Sequence, residues 1–353
     1  MPEEASVSAV RTFPIGGFLL ALGSAASFAL SGSFASALLS AGWSVGAATT
    51  MRISCAALVL AVPTAVVLRG KWRLVVRAWK PLLLFGLLAV AGCQLAFFFA
   101  VRYISPSLAL LIEFMGPVVL MLWMWLSTRV APSGLTLLGA GIAVGGLVAI
   151  SGVVAGGALH PLGILFGLIA AVGNAAYYAT GATNDHGIAP LPFVGLGLGI
   201  AAVLLIVVCA LGILPFEVTA EPAVMAGIEL PPAVAVAGMV LVSTVLSYVL
   251  GVAASRRLGA TVASFTGYSE ALFGIFWPIV LLALVPTGVQ WIGAGLIVAG
   301  VVTVKIGEVV GARRRSTSTS TRRRAGSSEY GGRMRRARAR RVSTTDHAGD
   351  VRR

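Results

Sequence analysis

The sequence has 353 residues, of which 58% are hydrophobic and only 11% are charged, and its mean hydropathy is +0.96. This composition lies far outside the range of soluble globular proteins and indicates a polytopic membrane protein. The net charge of +14 is not a nucleic-acid signal, because 14 of the 26 basic residues follow Ala312. Cys55, Cys93 and Cys209 lie in apolar runs without CxxC or metal spacing, so we expect small buried side chains rather than disulfides or metal ligands, and we expect no cofactor.

Ten apolar runs of about 20 residues are long enough to cross a bilayer as helices. The runs are continuously apolar, whereas the strands of a membrane barrel would alternate, so the predicted fold class is an all-α integral membrane protein. The predicted spans are residues 16–36, 46–68, 82–101, 106–127, 134–153, 162–182, 191–213, 232–254, 260–284 and 287–307.

The N-terminus could also be interpreted as a signal peptide, because Arg11 precedes an apolar run and Ala35-Ser36-Ala37 could form a cleavage site. Glu3 and Glu4 suit such a peptide poorly. We therefore expect residues 1–15 to form a short cytoplasmic segment before the first span.

Basic residues in the short loops predict which side of the membrane each loop faces. One side receives nearly all of them: Arg11, Arg69, Lys71, Arg73, Arg77, Lys80, Arg129, Arg256, Arg257 and the run that begins at Arg313. The other side receives only Arg102, and its longest loop carries Glu217, Glu221 and Glu229. Both termini are therefore predicted to be cytoplasmic.

The chain contains an internal repeat. With a shift of 154 positions, residues 102–148 align without a gap on residues 256–302, and GAGIAVGGLV from Gly139 matches GAGLIVAGVV from Gly293. Residues 16–153 and 162–307 would then be two five-helix repeats. Because five is odd, the second repeat would enter the membrane inverted, an arrangement typical of secondary transporters with a central site. Duplication in a channel or a membrane enzyme is the alternative.

The sequence also predicts where two helices pack closely and what the C-terminal segment does. GxxxG spacing at Gly141 and Gly145, matched by Gly295 and Ala299, predicts close helix packing. Residues 313–353 are rich in Arg, Ser, Thr and Gly and should form a disordered cytoplasmic tail that contacts anionic lipid. Specific nucleic-acid binding is not expected there, because Tyr330 is the one aromatic residue available to stack on bases.

Charged residues within the spans are candidates for transport, because an unpaired charge at membrane depth is costly. Arg52 and Glu113 both lie about 9 to 10 Å inside the same predicted face, so an ion pair between them is plausible. Such a pair could bind substrate or could only hold two helices together. Glu270 lies near the midplane without a basic residue close in sequence. It could therefore exchange a proton, or stay protonated in a structural hydrogen bond.

Glu113 and Glu270 lie one helical turn apart in the shared frame of the repeat, so each half offers one acid on the same helix face. Further polar residues in the spans could line a cavity or form hydrogen bonds between helices. These residues are Gln94, Asn174, Ser243, Tyr248, Tyr178 and Tyr268.

Several motifs resemble the EamA-type branch of the drug/metabolite transporter superfamily. They are Arg52-Ile53, EFMGP from Glu113, RRLGATVASF from Arg256, Ser269-Glu270 and the two repeat ends. The resemblance covers roughly residues 15–308, and Glu113 to Pro117 resembles the threonine/homoserine exporter group. It implies a bacterial inner-membrane exporter of small metabolites or amino acids. Members of the wider family often carry Glu-Pro in the ninth helix, whereas Ala271 follows Glu270 here, so we expect that helix to be less kinked.

The sequence therefore predicts a secondary transporter that exports a small metabolite or amino acid, with the proton as coupling ion and a homodimer as one option for assembly. No P-loop, HExxH or GxSxG motif is present, which argues against an ATP-driven pump or an enzyme. An uncoupled channel or facilitator, an intramembrane lipid enzyme and a receptor-like protein are the rival interpretations.

Overall fold

The computed structural model describes residues 15–104, 106–151, 160–225, 227–282 and 287–311, so most of the predicted N-terminal segment and the whole predicted tail lie outside the described residues. The described chain is almost entirely helical. Eight of its helical segments are long and apolar enough to cross a membrane, which makes the protein a multi-pass membrane protein. The full count of ten spans stays a prediction.

The helices in chain order are α1 (Ile15–Ser40), α2 (Val45–Val67), α3 (Arg73–Arg77), α4 (Trp79–Ala100), α5 (Pro106–Glu113), α6 (Gly116–Thr128), α7 (Gly134–Ser151), α8 (Pro161–Ala182), α9 (Pro190–Ala210), α10 (Pro232–Leu258), α11 (Ala260–Thr266), α12 (Ser269–Leu282) and α13 (Gly288–Gly311). A short hairpin of β1 (Ala223–Met225) and β2 (Ile228–Leu230) precedes α10. The predicted fourth and ninth spans are each divided into two helices.

Helices α4 and α10 each contain a π-helical stretch, at Leu84–Gly92 and Leu241–Leu246. With the shift of 154 positions, the two π-helical stretches end at equivalent residues. The structural repeat therefore extends beyond the part of the sequence in which matching residues reveal it. A π-helical stretch widens the turn and changes the direction of the side chains that follow it. The residues that follow are Cys93-Gln94 in α4 and Ser247-Tyr248 in α10, which makes Gln94 and Tyr248 equivalent positions.

The two repeats pack against each other reciprocally. Helix α1 packs on α10 and α12, and α8, its counterpart, packs on α4, α5 and α6. The second helices of the repeats, α2 and α9, pack together, and so do the last ones, α7 and α13. Each contact thus has a partner contact in the other half, as a two-fold relation between the halves requires.

The contact between α7 and α13 uses different glycines from those predicted. A Cβ atom on Gly139 would lie 2.5 Å from Val304 N, and one on Gly300 would lie 2.5 Å from Ala143 N, so the two backbones are in direct contact there. A Cβ atom on Gly141, Gly145 or Gly295 would meet nothing within 4 Å. The prediction that the GxxxG glycines form this contact is therefore wrong. They lie on an exposed face of each helix, whereas the residues that pack lie on the neighbouring face.

A matched pair of substitutions on α13 tests this packing. We expect Gly300→Ala to destabilise the protein by about 1 to 3 kcal/mol, because backbone atoms of α7 cannot move away from the added methyl group. Gly295→Ala should be neutral or stabilising by up to about 1 kcal/mol, because alanine favours the helix and the site is open. Thermal unfolding in detergent measures both variants, and equal melting temperatures would contradict the assignment.

The connection between α9 and α10 folds over the turn between α1 and α2. The Trp43 indole Nε1 donates to the Thr219 carbonyl at 3.0 Å, and the Ser44 hydroxyl donates to the Pro215 carbonyl at 2.8 Å. The Ser44 hydroxyl oxygen also accepts from the Glu217 amide at 3.0 Å. This end of the helix bundle is therefore closed by a hydrogen-bonded loop.

The turn between α8 and α9 is fastened to the end of α10. Arg256 donates from Nη1 to the Ile188 carbonyl at 2.5 Å, and the Ile188 amide donates to His186 Nδ1 at 3.1 Å. The His186 ring stacks on Phe193 at 5.3 Å between centroids. Arg256, which the sequence assigns to an exposed loop, is therefore half-buried and holds two connections together.

Burial and then the nearby Arg256 guanidinium lower the pKa of His186 from its ordinary value of 6.5. The folded protein therefore binds fewer protons at this residue than the unfolded chain, so its contribution to stability is present above pH 6.5 and is lost as the pH falls below that value. His186→Asn keeps an acceptor for the Ile188 amide but does not titrate. We expect the melting temperature of the wild type to fall more steeply than that of this variant between pH 7 and pH 5, and parallel curves would contradict this.

Candidate functional site

The first helix break lies between α5 and α6, at Phe114 and Met115. Pro117 causes it, since proline lacks an amide hydrogen and its ring occupies the space of the carbonyl four residues earlier, which belongs to Glu113. The turn is closed instead by tighter bonds, such as Met115 N to Ile112 O at 3.0 Å. Glu113 is therefore the last residue of α5, immediately before the break.

The second break lies between α11 and α12, at Gly267 and Tyr268. The Glu270 amide donates to the Gly267 carbonyl at 2.9 Å, so this turn is also tightened. No proline is involved. Gly267 is required because the Tyr178 hydroxyl occupies the place of a Cβ atom. The helix is thus interrupted without a Glu-Pro pair, and the expectation that it is less kinked than helices with that pair stays a prediction.

The two breaks are equivalent in the repeat and touch each other. Phe114 corresponds to Tyr268 under the shift of 154, and their rings pack edge to face with centroids 6.4 Å apart. Both side chains are buried, and Tyr268 is only 1% exposed. The contact between the halves therefore passes through the interrupted turns, and each turn has a glutamate within two residues of it.

One arginine lies within electrostatic range of both glutamates. Arg52, Glu113 and Glu270 are all half-buried, and the charge of Arg52 would stabilise either carboxylate. Within the described residues no carboxylate oxygen lies within 4.0 Å of the guanidinium, so the predicted ion pair between Arg52 and Glu113 is not formed. Glu270 has no basic residue close to it in sequence, and the charge that reaches it is that of Arg52, from a distant part of the sequence.

Arg52 instead bonds to a serine. Its Nη1 atom donates to the Ser31 hydroxyl oxygen at 2.6 Å, whereas its Nε atom is buried without a partner among the described residues. A guanidinium carries five N–H donors, so this one has donors to spare for another acceptor. The serine on α1 therefore fixes a cation that extends from α2.

Cys93 contacts Glu113 directly. Its thiol lies 3.3 Å from Glu113 Oε1 and 3.3 Å from the Ala170 carbonyl, and its single proton can serve one of these acceptors at a time. Gly173 makes this possible, because a Cβ atom there would lie 2.7 Å from Cys93 Cβ. Cys93 is buried, as predicted, but it is a partner of the carboxyl group rather than only a small apolar residue.

A cavity lies beside Glu270. It is lined mainly by small residues of α1, α10 and α11, together with the rings of Phe28 and Tyr178 and the Glu270 carboxyl group. The space that a water-sized sphere can reach in it is about 10 Å³, which is room for about one water molecule. In this conformation the cavity is therefore too small for a solute and would have to widen to bind one.

Several of the other predicted residues lie against the cavity wall or at the helix breaks. Tyr248 is buried and its ring packs on Phe28 with centroids 4.9 Å apart. Tyr268 has a buried hydroxyl with no partner among the described residues, and so does the Asn174 side-chain oxygen, which lies beside Gly116. Gln94 is half-buried in α4 at the position equivalent to Tyr248. Ser243, by contrast, bonds to its own helix at Met239 and is not part of the site.

Duplicated halves, interrupted helices and buried charges at the interruptions define the class of membrane transport proteins. The chain belongs to the EamA-like transporter family, whose sequence model matches residues 15–152 and again residues 161–306. Its members transport small solutes and are not enzymes. The narrower threonine/homoserine exporter group is not established by this match.

Solved structures share the fold. One crystal structure, described only as that of a protein, is 18% identical and superposes with a TM-score of 0.58 over 83% of this chain and 96% of the other. At this identity the likeness concerns the fold alone. No curated protein matches the chain.

Two substitutions test the contact between Cys93 and Glu113. Cys93→Ser keeps a donor and should retain most of the solute flux in proteoliposomes. Cys93→Val keeps the volume but removes the donor, and we expect a loss of about fivefold, since one hydrogen bond contributes about 1 kcal/mol. Equal flux in the two variants would show that the thiol only fills space.

Proposed function

We propose that the protein is a secondary transporter that moves a small metabolite or amino acid across the bacterial cytoplasmic membrane by alternating access, coupled to protons and in the direction of export. Ten helices would form two inverted five-helix repeats, with both termini in the cytoplasm. The observation that carries this proposal is the contact between the two equivalent helix breaks, each of which has a glutamate within two residues of it.

The charges explain why coupling is expected. One guanidinium can offset one carboxylate, and a second unpaired carboxylate in a low-dielectric site would be costly. The second carboxyl group therefore needs a proton or a cationic part of the solute. If the site binds and releases that proton as it opens to each side, solute movement is tied to proton movement.

The residues divide these tasks. Glu270 lines the cavity and is our candidate for proton exchange. Arg52 has unused donors and is our candidate for binding a carboxylate or other anionic group of the solute. Glu113, in contact with Cys93, is the third member of the set, and Gln94, Asn174, Tyr178, Tyr248 and Tyr268 are further candidates for contact with the solute.

Reciprocal packing supports alternating access. Helices α1 and α8 each pack on the broken helix of the opposite repeat. A rocking motion that changes one of these contacts changes the other in the opposite sense. The breaks are the places where such motion needs the least rearrangement of backbone hydrogen bonds, because their turns are already irregular.

The test is flux of a panel of amino acids and small metabolites in proteoliposomes with an imposed pH gradient. The wild type should accumulate its solute at the expense of the proton gradient. In Glu270→Gln, uphill accumulation of the solute should fall by about tenfold or more. The exchange of solute should no longer depend on pH, because the variant cannot release a proton at this position. Glu221→Gln, in an exposed loop, is the matched control and should behave as the wild type.

An uncoupled channel or facilitator is the alternative function. It would show downhill flux without a response to the pH gradient, both in the wild type and in Glu270→Gln. Unchanged, still pH-dependent accumulation in Glu270→Gln would contradict the role of this residue in coupling.

A further inference from the structure

Among the described residues, Arg52 is the basic residue whose charge reaches the glutamates at both helix breaks, and a neutral serine fixes its position. Among the described residues its hydrogen-bonding partner is the Ser31 hydroxyl, at 2.6 Å. A carboxylate would be a stronger acceptor for a guanidinium than a hydroxyl group is. The absence of a close ion pair with Glu113 or Glu270 is therefore a feature that needs a cause.

The position of Ser31 explains why Arg52 forms no close ion pair. It lies one helical turn after Phe28 on α1, and Phe28 is part of the cavity wall. Three residues along a helix correspond to about 4.5 Å, so Ser31 holds the guanidinium next to the cavity rather than inside it. The buried Nε atom has no hydrogen-bonding partner among the described residues, so this donor is available to another acceptor.

Four other helices carry groups within electrostatic range of Arg52. These groups are Cys93 on α4, Glu113 on α5, Tyr248 on α10 and Glu270 on α12. Loss of the serine acceptor would free the guanidinium to form a charge-assisted pair with a carboxylate. It would then no longer be available to a solute.

We propose that Ser31 is a positioning residue that holds the Arg52 guanidinium apart from Glu113 and Glu270, and thereby keeps it available for an anionic group of the transported solute. The proposal rests on the function proposed above for Arg52. Because Ser31 is on α1 and Arg52 is on α2, the same bond would make the position of the cation depend on how these two helices are placed.

The first experiment needs no solute. Infrared difference spectroscopy on the purified protein in detergent reports the protonated fraction of buried carboxyl groups at each pH. Ser31→Ala should leave a larger fraction of them ionised at pH 7, because the freed guanidinium pairs with a carboxylate. Ser31→Thr keeps the hydroxyl group and should restore the wild-type curve. Ser36→Ala, exposed on the same helix, is the control.

The second experiment uses the solute that the panel identifies. Ser31→Ala should raise KM for a carboxylate-bearing solute about tenfold with a much smaller change in maximal rate, and should shift the pH profile of flux, whereas Ser31→Thr should rescue both. If Ser31→Ala does not fold, Ser31→Cys keeps the volume with a much weaker acceptor and should show the same changes.

The two experiments separate the proposals. An infrared curve that Ser31→Ala and Ser31→Cys leave unchanged would overturn the positioning role of Ser31, whatever the protein transports. A changed infrared curve together with flux that is indifferent to pH would support the positioning of Arg52 and overturn the proton-coupled function. A reduced maximal rate with unchanged KM and pH profile would show that Ser31 acts only in helix packing.

Discussion

The structure depends on the sharing of one guanidinium by two carboxyl groups in an apolar surrounding. Arg52 cannot offset the charges of both Glu113 and Glu270, and neither carboxylate forms a close ion pair with it among the described residues. Such a set of charges is stable only if its members are held in place by other contacts. Ser31 holds the cation, Cys93 contacts one acid, and the tightened turn before Glu270 holds the other.

The helix breaks bring these charges together. A continuous helix would direct side chains along one face at a fixed spacing, whereas an interrupted helix can direct a residue at its break toward the neighbouring half. Proline explains the break after Glu113, whereas the break before Glu270 has no proline and contains Gly267, which lets the Tyr178 hydroxyl approach the backbone. Different local causes thus give equivalent geometry, and the contact between Phe114 and Tyr268 joins the two breaks.

Much of the architecture could be predicted from the sequence, because hydropathy reports membrane spans and repeated letters report duplication. The site could be predicted in part, since Glu113, Glu270 and Arg52 are unusual residues for an apolar segment. The bond from Arg52 to Ser31 could not, because a serine in a helix gives no signal until its neighbour is known. The packing glycines were misassigned for a similar reason: Gly141 and Gly139 are only two positions apart, and the motif alone does not show which face meets α13.

The coupling between Arg52 and Glu113 tests the central claim most directly. A double-mutant cycle with Arg52→Gln and Glu113→Gln, measured by thermal unfolding in detergent, gives their interaction free energy without knowledge of the solute. If the charge of Arg52 is shared and weakly screened, the interaction free energy of Arg52 and Glu113 should be about 0.5 to 3 kcal/mol. In a control cycle, the effects of Arg52→Gln and Glu221→Gln should be additive. Additivity within about 0.5 kcal/mol for Arg52 and Glu113 would contradict the claim that one guanidinium serves both helix breaks.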